Sequence, residues 1–143
     1  FYSVNPEAKN HLPDLPVWFD QINSFDKNNI LKHLDGILEP YIEEMEIEGI
    51  SLENLLSKNQ IQRIDLLHID TEGYDWKILS QLDLKRFQPT VILYEHRHIT
   101  EVEKRQSLNF LKSKYRIYNL GGDYICLSKN KVKKGVFNHI LKK

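Results

Sequence analysis

The stretch at residues 63–82, RIDLLHIDTEGYDWKILSQL, constrains what this chain can fold into more than any other. Ile64, Leu66, Leu67 and Ile69 make a short apolar run of the kind that forms a strand buried on both faces of a parallel sheet. The run stops at Asp70-Thr71-Glu72-Gly73, and Trp76, Ile78, Leu79 and Leu82 then resume at helical spacing. The pattern reads strand, acidic turn, helix. In an open α/β sheet such a turn lies at the carboxyl end of a strand, where ligands bind. Gly73 permits a backbone conformation closed to residues with a Cβ, or the close approach of a ligand.

The 143 residues suit one domain, and 41% apolar with 28% charged residues is ordinary for a globular chain, which excludes a disordered or fibrous one. Twenty basic residues balance twenty acidic ones, but unevenly. Residues 129–143 hold six lysines and no acid, which leaves a net of −6 on the rest. They read as a basic, solvated C-terminal tail; contact with nucleic acid or anionic lipid is the rival reading. Aromatic and basic residues are not interleaved on any segment, so no nucleic-acid partner is expected. Cys126 is alone, which rules out an internal disulfide and a cysteine-rich metal site, and Ile125 and Leu127 place it in a strand as an inert thiol. No apolar run is long enough to span a membrane and no signal-peptide pattern is present, so the expected setting is cytoplasmic. The chain opens on Phe1 within a strand-like run and reads as cut from a larger protein.

In chain order, residues 1–4 predict a strand ended by Asn5-Pro6. Residues 7–15 are polar and read as a surface excursion. Val17, Trp18 and Phe19 either pack on the sheet or line a pocket, packing being the preferred reading. Ser24 or Asp26 caps a helix to about Asp35, with Ile30, Leu31 and Leu34 on one face and Gly36 ending it. The second half of residues 41–50 reads as a strand. Ser51 caps a helix over 52–58 that stops at Asn59. After the central strand, Pro89 introduces a second buried strand at 90–94, which ends in Glu95-His96-Arg97-His98. Thr100 and Glu103 have capping-box spacing, and Val102, Leu108 and Leu111 fit a helix to about Lys114. Residues 115–120 and 124–127 flank Gly121-Gly122-Asp123 as a hairpin. The alternation argues for an α/β fold with a largely parallel sheet and an antiparallel edge.

If the strands ending at Asp70 and Glu95 are neighbours, Asp70, Glu72, Glu95, His96 and His98 share one rim. A carboxylate or imidazole there can take a proton from a substrate hydroxyl, and mixed oxygen and nitrogen donors can hold a divalent metal. The plainer reading is that Asp70 and Glu72 cap the following helix, where anions are favoured. His96 and His98 share a face if extended, but a metal there needs a third ligand that the sequence does not place. His68 reads as a hydrogen-bonded core residue, and Tyr74 and Trp76 as core or pocket wall. No phosphate-binding glycine loop is present.

Three segments carry a family resemblance. Ser51-Leu52-Glu53-Asn54-Leu55-Leu56, the run from Ile64 to Asp75 and the run from Pro89 to His96 resemble FkbM-type S-adenosylmethionine-dependent methyltransferases. That family shows a "tLd-Ll" helix, an "idlLKIDvEG-e" strand and turn, and a "P-vi--E" strand, in this order and at similar spacing. The resemblance covers roughly residues 41–128. It implies a Rossmann-like class I methyltransferase fold, with this chain supplying strands four to seven, the last antiparallel in a hairpin. The cofactor implied is S-adenosylmethionine, and the reaction is methyl transfer to a hydroxyl oxygen of a small molecule or glycan. Asp70, Glu72 and Glu95 match the family's acidic positions, and His96 is the candidate general base. His68 stands where the family often has lysine.

The first three strands of that fold, with the glycine-rich turn and the ribose-binding acid, have no counterpart in this chain. It is therefore expected to be the carboxyl-terminal portion of the domain, to bind the cofactor poorly alone, and to expose a sheet edge through which it forms a homodimer. No metal is expected in the methyltransferase reading. The alternatives are a non-catalytic assembly module and a metal-dependent hydrolase using Asp70, Glu72, His96 and His98.

Overall fold

The computed structural model describes residues 1–133, so the end of the lysine-rich tail, with Lys134, Lys142 and Lys143, lies outside the described residues. The acidic-turn segment folds as its pattern dictates: a strand β3 (Leu66–Ile69), a turn, and a helix α4 (Asp75–Leu79). β3 runs parallel to β4 (Val91–Glu95), with Leu66 opposite Val91 and Ile69 opposite Tyr94. The two strands therefore end side by side, as their apolar runs imply. The closing hairpin, β5 (Tyr115–Asn119) and β6 (Asp123–Ser128), completes a mixed sheet in the order β3-β4-β6-β5. β6 is antiparallel to both β4 and β5. The reversed strand thus lies inside the sheet, and the edge expected to be antiparallel is β5, which points the same way as β4.

At the other edge β3 has one neighbour among the described residues, and this overturns the expectation of burial on both faces. Leu66 is 60% exposed and His68, expected in the core, faces solvent. α5 (Glu101–Leu111) begins with the expected reciprocal cap: Thr100 Oγ1 accepts from the Glu103 amide, and the Glu103 carboxylate accepts from the Thr100 amide. Leu111 is buried against the sheet and Val102 is exposed. α3 (Leu52–Lys58) likewise has its Ser51 cap, which accepts from the Asn54 amide. Ile69, Ile92, Tyr94, Leu111, Tyr115 and Cys126 form the main core. Both deeply buried phenols are satisfied, Tyr94 by Ser107 at 2.8 Å and Tyr115 by the Pro89 carbonyl at 3.0 Å.

Residues 1–42 build a second, smaller apolar cluster around Val4, Ala8, Leu15, Phe19, Ile22, Ile30 and Leu38. The stretch at 7–15 is not a pure surface excursion: it carries a short helix α1 (Ala8–His11) and buries Ala8 and Leu15. β1 (Tyr2–Val4) pairs antiparallel with β2 (Ile42–Glu44). β2 therefore occupies the first half of residues 41–50; Met45, Ile47 and Ile50, expected in a strand, are exposed. α2 (Lys27–Leu31) starts at the Asp26 cap but stops four residues before Asp35. Leu34 and Asp35 both take left-handed backbone angles (φ 49 and 53°), which no α-helix accommodates, and Gly36 follows at φ 76°. Two asparagines in its five residues add little helix propensity to resist that stop. No helix among the described residues is long and apolar enough to cross a membrane.

Candidate active site at the carboxyl ends of the parallel strands

The turn after β3 is held in an uncommon shape by the amino-terminal cluster. Glu72 takes a left-handed conformation (φ 50°) and Gly73 follows at φ 99°. The Glu72 carbonyl accepts two side-chain hydrogen bonds, from Ser24 Oγ at 2.9 Å and Asn29 Nδ2 at 2.7 Å. A left-handed non-glycine residue is disfavoured unless its surroundings hold it, and such residues gather at functional sites. Ser24 and Asn29 are both buried and serve that end. A Cβ on Gly73 would lie 2.7 Å from Asn29 Nδ2 and 3.1 Å from the His98 carbonyl, so only glycine fits.

This turn aims the Glu72 carboxylate at two histidines. Its Oε2 lies 3.6 Å from His33 Nε2 and 3.4 Å from His98 Nε2. On the far side of His98, Glu95 Oε1 is 3.6 Å from the same nitrogen. The His33 and His98 rings face each other with centroids 5.8 Å apart. For Glu95 and His98, desolvation is the largest influence on the charge state. Burial, then the nearby Glu72 and Asp70 carboxylates, pushes Glu95 up to about 7. Burial also holds His98 below the usual imidazole range, against the opposing pull of Glu72.

Two clefts meet at Glu72. One, of about 360 Å³, is lined by Phe25, Lys32, Gly73, Tyr74 and His98 among others. The other, of about 450 Å³, is lined by Trp18, Asn23, His33, Asp70 and Arg97 with Glu72. Trp18 thus lines a pocket and Phe19 packs into the smaller core, whereas Val17 is exposed and fits neither reading. Tyr74 is pocket wall, its ring tilted against Phe25 with centroids 4.5 Å apart and the Lys77 ammonium over its face. Trp76 packs edge-on against Phe110 and donates to Gln106.

Of the residues singled out in the sequence, Asp70, Glu72, Glu95 and His98 converge on this rim. His96 does not. The strand ends at Glu95, so His96 and His98 do not share a face as they would if extended. His96 is 7% exposed, stacks on Tyr124 at 3.9 Å and approaches Asn119 at 3.3 Å. Alternation along the strand sends it to the opposite side from Glu95. His33 takes its place beside the carboxylates. Nothing in the sequence marks His33, which is brought in by the early stop of α2, and Ser24 and Asn29 were equally silent as braces.

Asp75 adds a buried carboxylate at the start of α4, its Oδ2 accepting from Thr71 Oγ1 at 3.1 Å. Burial raises its pKa and the Thr71 hydrogen bond opposes that rise. The turn thus stores one acid in the helix start and presents two, Asp70 and Glu72, to the clefts.

The sequence model of the family described as Methyltransferase FkbM domain matches residues 15–119. That span starts well before residue 41 and takes in Ser24, Asn29 and His33 along with the acidic turn and β4. No curated protein and no solved structure matches the chain.

Proposed function

The chain belongs to the FkbM methyltransferase domain family, and on that premise we propose that it transfers a methyl group from S-adenosylmethionine to a hydroxyl oxygen of a small molecule or glycan. The observation that carries this reading is the convergence of Asp70, Glu72 and Glu95 at the ends of two adjacent parallel strands. That is where an α/β sheet binds its ligands. The donor would supply an electrophilic methyl group on a positively charged sulfur. The donor set fits such a cation: two carboxylates, Asp70 and Glu72, line the larger cleft. Glu95, part-buried with its Oε1 3.6 Å from His98 Nε2, is positioned to accept the proton of an acceptor hydroxyl. On this geometry Glu95 and His98 are better placed for that transfer than His96. Positioning of donor and acceptor supplies much of the remaining rate.

The sheet is read as the acceptor side of a larger methyltransferase sheet whose further strands add at the open edge of β3. Where those strands are absent, the same edge pairs two copies of the chain. Among the described residues no glycine-rich turn follows β1, so cofactor binding by the chain alone is weak. Calorimetric titration of S-adenosylmethionine into the protein tests the assignment. Asp70→Asn is expected to weaken binding by about tenfold or more, the loss of one charge-assisted contact. Unchanged affinity removes Asp70 from the donor site.

A further inference from the structure

We propose that His33, Glu72 and His98 form a binding site for one divalent transition-metal ion. One donor atom from each of these three residues lies within 4.8 Å of the other two. His33 Nε2 and Glu72 Oε2 are shut off from solvent and make no hydrogen bond. The separations from Glu72 Oε2, 3.6 Å to His33 and 3.4 Å to His98, are too long for hydrogen bonds. They match a different distance. Two donors each about 2.0–2.1 Å from a tetrahedral ion stand about 3.3–3.4 Å apart.

The plainer account, a hydrogen-bonded ion-pair network, fits less well. A protonated imidazole beside a buried carboxylate draws in to about 2.7–2.9 Å, and here two rings flank one oxygen without either doing so. An ion between the three donors satisfies all of them. Two imidazoles and one carboxylate suit zinc, iron(II), cobalt(II) or manganese(II); an all-oxygen set would instead favour magnesium or calcium.

The arrangement is also braced as metal ligands are. Glu72 is fixed by Ser24 and Asn29 through its own carbonyl, and Trp18 packs edge-on against His33 at 6.3 Å. Three protein ligands leave a coordination position free, as in metal sites that admit an exogenous oxygen. The two clefts that meet at Glu72 supply the access. The inference goes beyond the methyl-transfer reading and does not depend on it.

The test is titration of cobalt(II) chloride into the tag-free, chelator-treated chain, followed by its visible d–d absorption, with zinc(II) competing. One equivalent with tetrahedral-type bands, displaced by zinc, is expected. His33→Gln, Glu72→Gln and His98→Gln should each weaken binding at least about tenfold, with folding checked by circular dichroism. His68→Ala, an exposed histidine on β3, should leave it unchanged. Should a variant fail to fold, the wild-type chain still decides: zinc binding raises its melting temperature in a concentration-dependent way. Absence of both the cobalt bands and the zinc-dependent shift overturns the site. So does binding that survives all three substitutions or is lost with His68→Ala. Neither readout requires turnover, so failure here leaves the methyl-transfer reading standing, and the converse holds.

Discussion

Gly73 shows how one position couples backbone shape to the site. Its positive φ and the 2.7 Å approach of Asn29 mean that Gly73→Ala must both strain the turn and displace the amide that holds the Glu72 carbonyl. We expect a loss of about 1–3 kcal/mol in denaturant-monitored stability; a neutral result would show that the turn is not held as described. Cys126 makes the opposite case. It is fully buried on β6, and burial pushes its thiol up to about 12. It should therefore resist a thiol-specific reagent in the native chain and react fully once denatured; rapid native labelling would contradict the burial. The inert thiol was legible from its apolar neighbours, as were the carboxylates Asp70, Glu72 and Glu95. His33 was not, because its role depends on where a helix stops, which is a tertiary outcome. His96 and His98 were ranked in the wrong spatial order for the same kind of reason: spacing assigns faces only while the strand lasts, and it ends at Glu95.

Helices and strands were most legible where their end signals are strong. The Thr100–Glu103 capping box, the Ser51 cap and the hairpin at Gly121 are local signals, and each is realised. Thr100→Ala should cost about 1 kcal/mol, read as a lowered denaturation midpoint with an unchanged slope; an unaltered midpoint would mean that the cap contributes nothing. α2 and residues 46–50 depart from the sequence expectation because apolar periodicity says which face can be buried, not whether a partner exists. Met45 and Ile47 have strand spacing, yet the ladder with β1 ends where Met45 exchanges backbone hydrogen bonds with Phe1, and Ile47 and Ile50 stay exposed. The tail shows a related limit. Lys129 and Lys131, read as solvated, place their ammonium groups on the carbonyls of Lys112 and Gln88.

Across the molecule, β3 and β5 are the two edge strands of the main sheet among the described residues. An unpaired strand edge templates pairing with another chain, and Leu66 stands exposed on β3. We expect the isolated chain to dimerise through β3 at high concentration, and Leu66→Lys to shift it towards monomer in light scattering; a wild-type monomer under those conditions would argue against the pairing. The parallel pairing of β3 and β4 was visible in the sequence as two acid-tipped apolar runs. The second cluster, which braces the acidic turn, was not, because its residues converge from short, weakly patterned segments. The account stands or falls on the rim where those strands end. Transfer of labelled methyl from S-adenosylmethionine to hydroxylated acceptors, by the protein and by its Glu95→Gln form, tests it most directly. The account predicts transfer that falls by about 10²-fold or more in kcat with Glu95→Gln while cofactor affinity is little changed; transfer at the unaltered rate in that variant would contradict it.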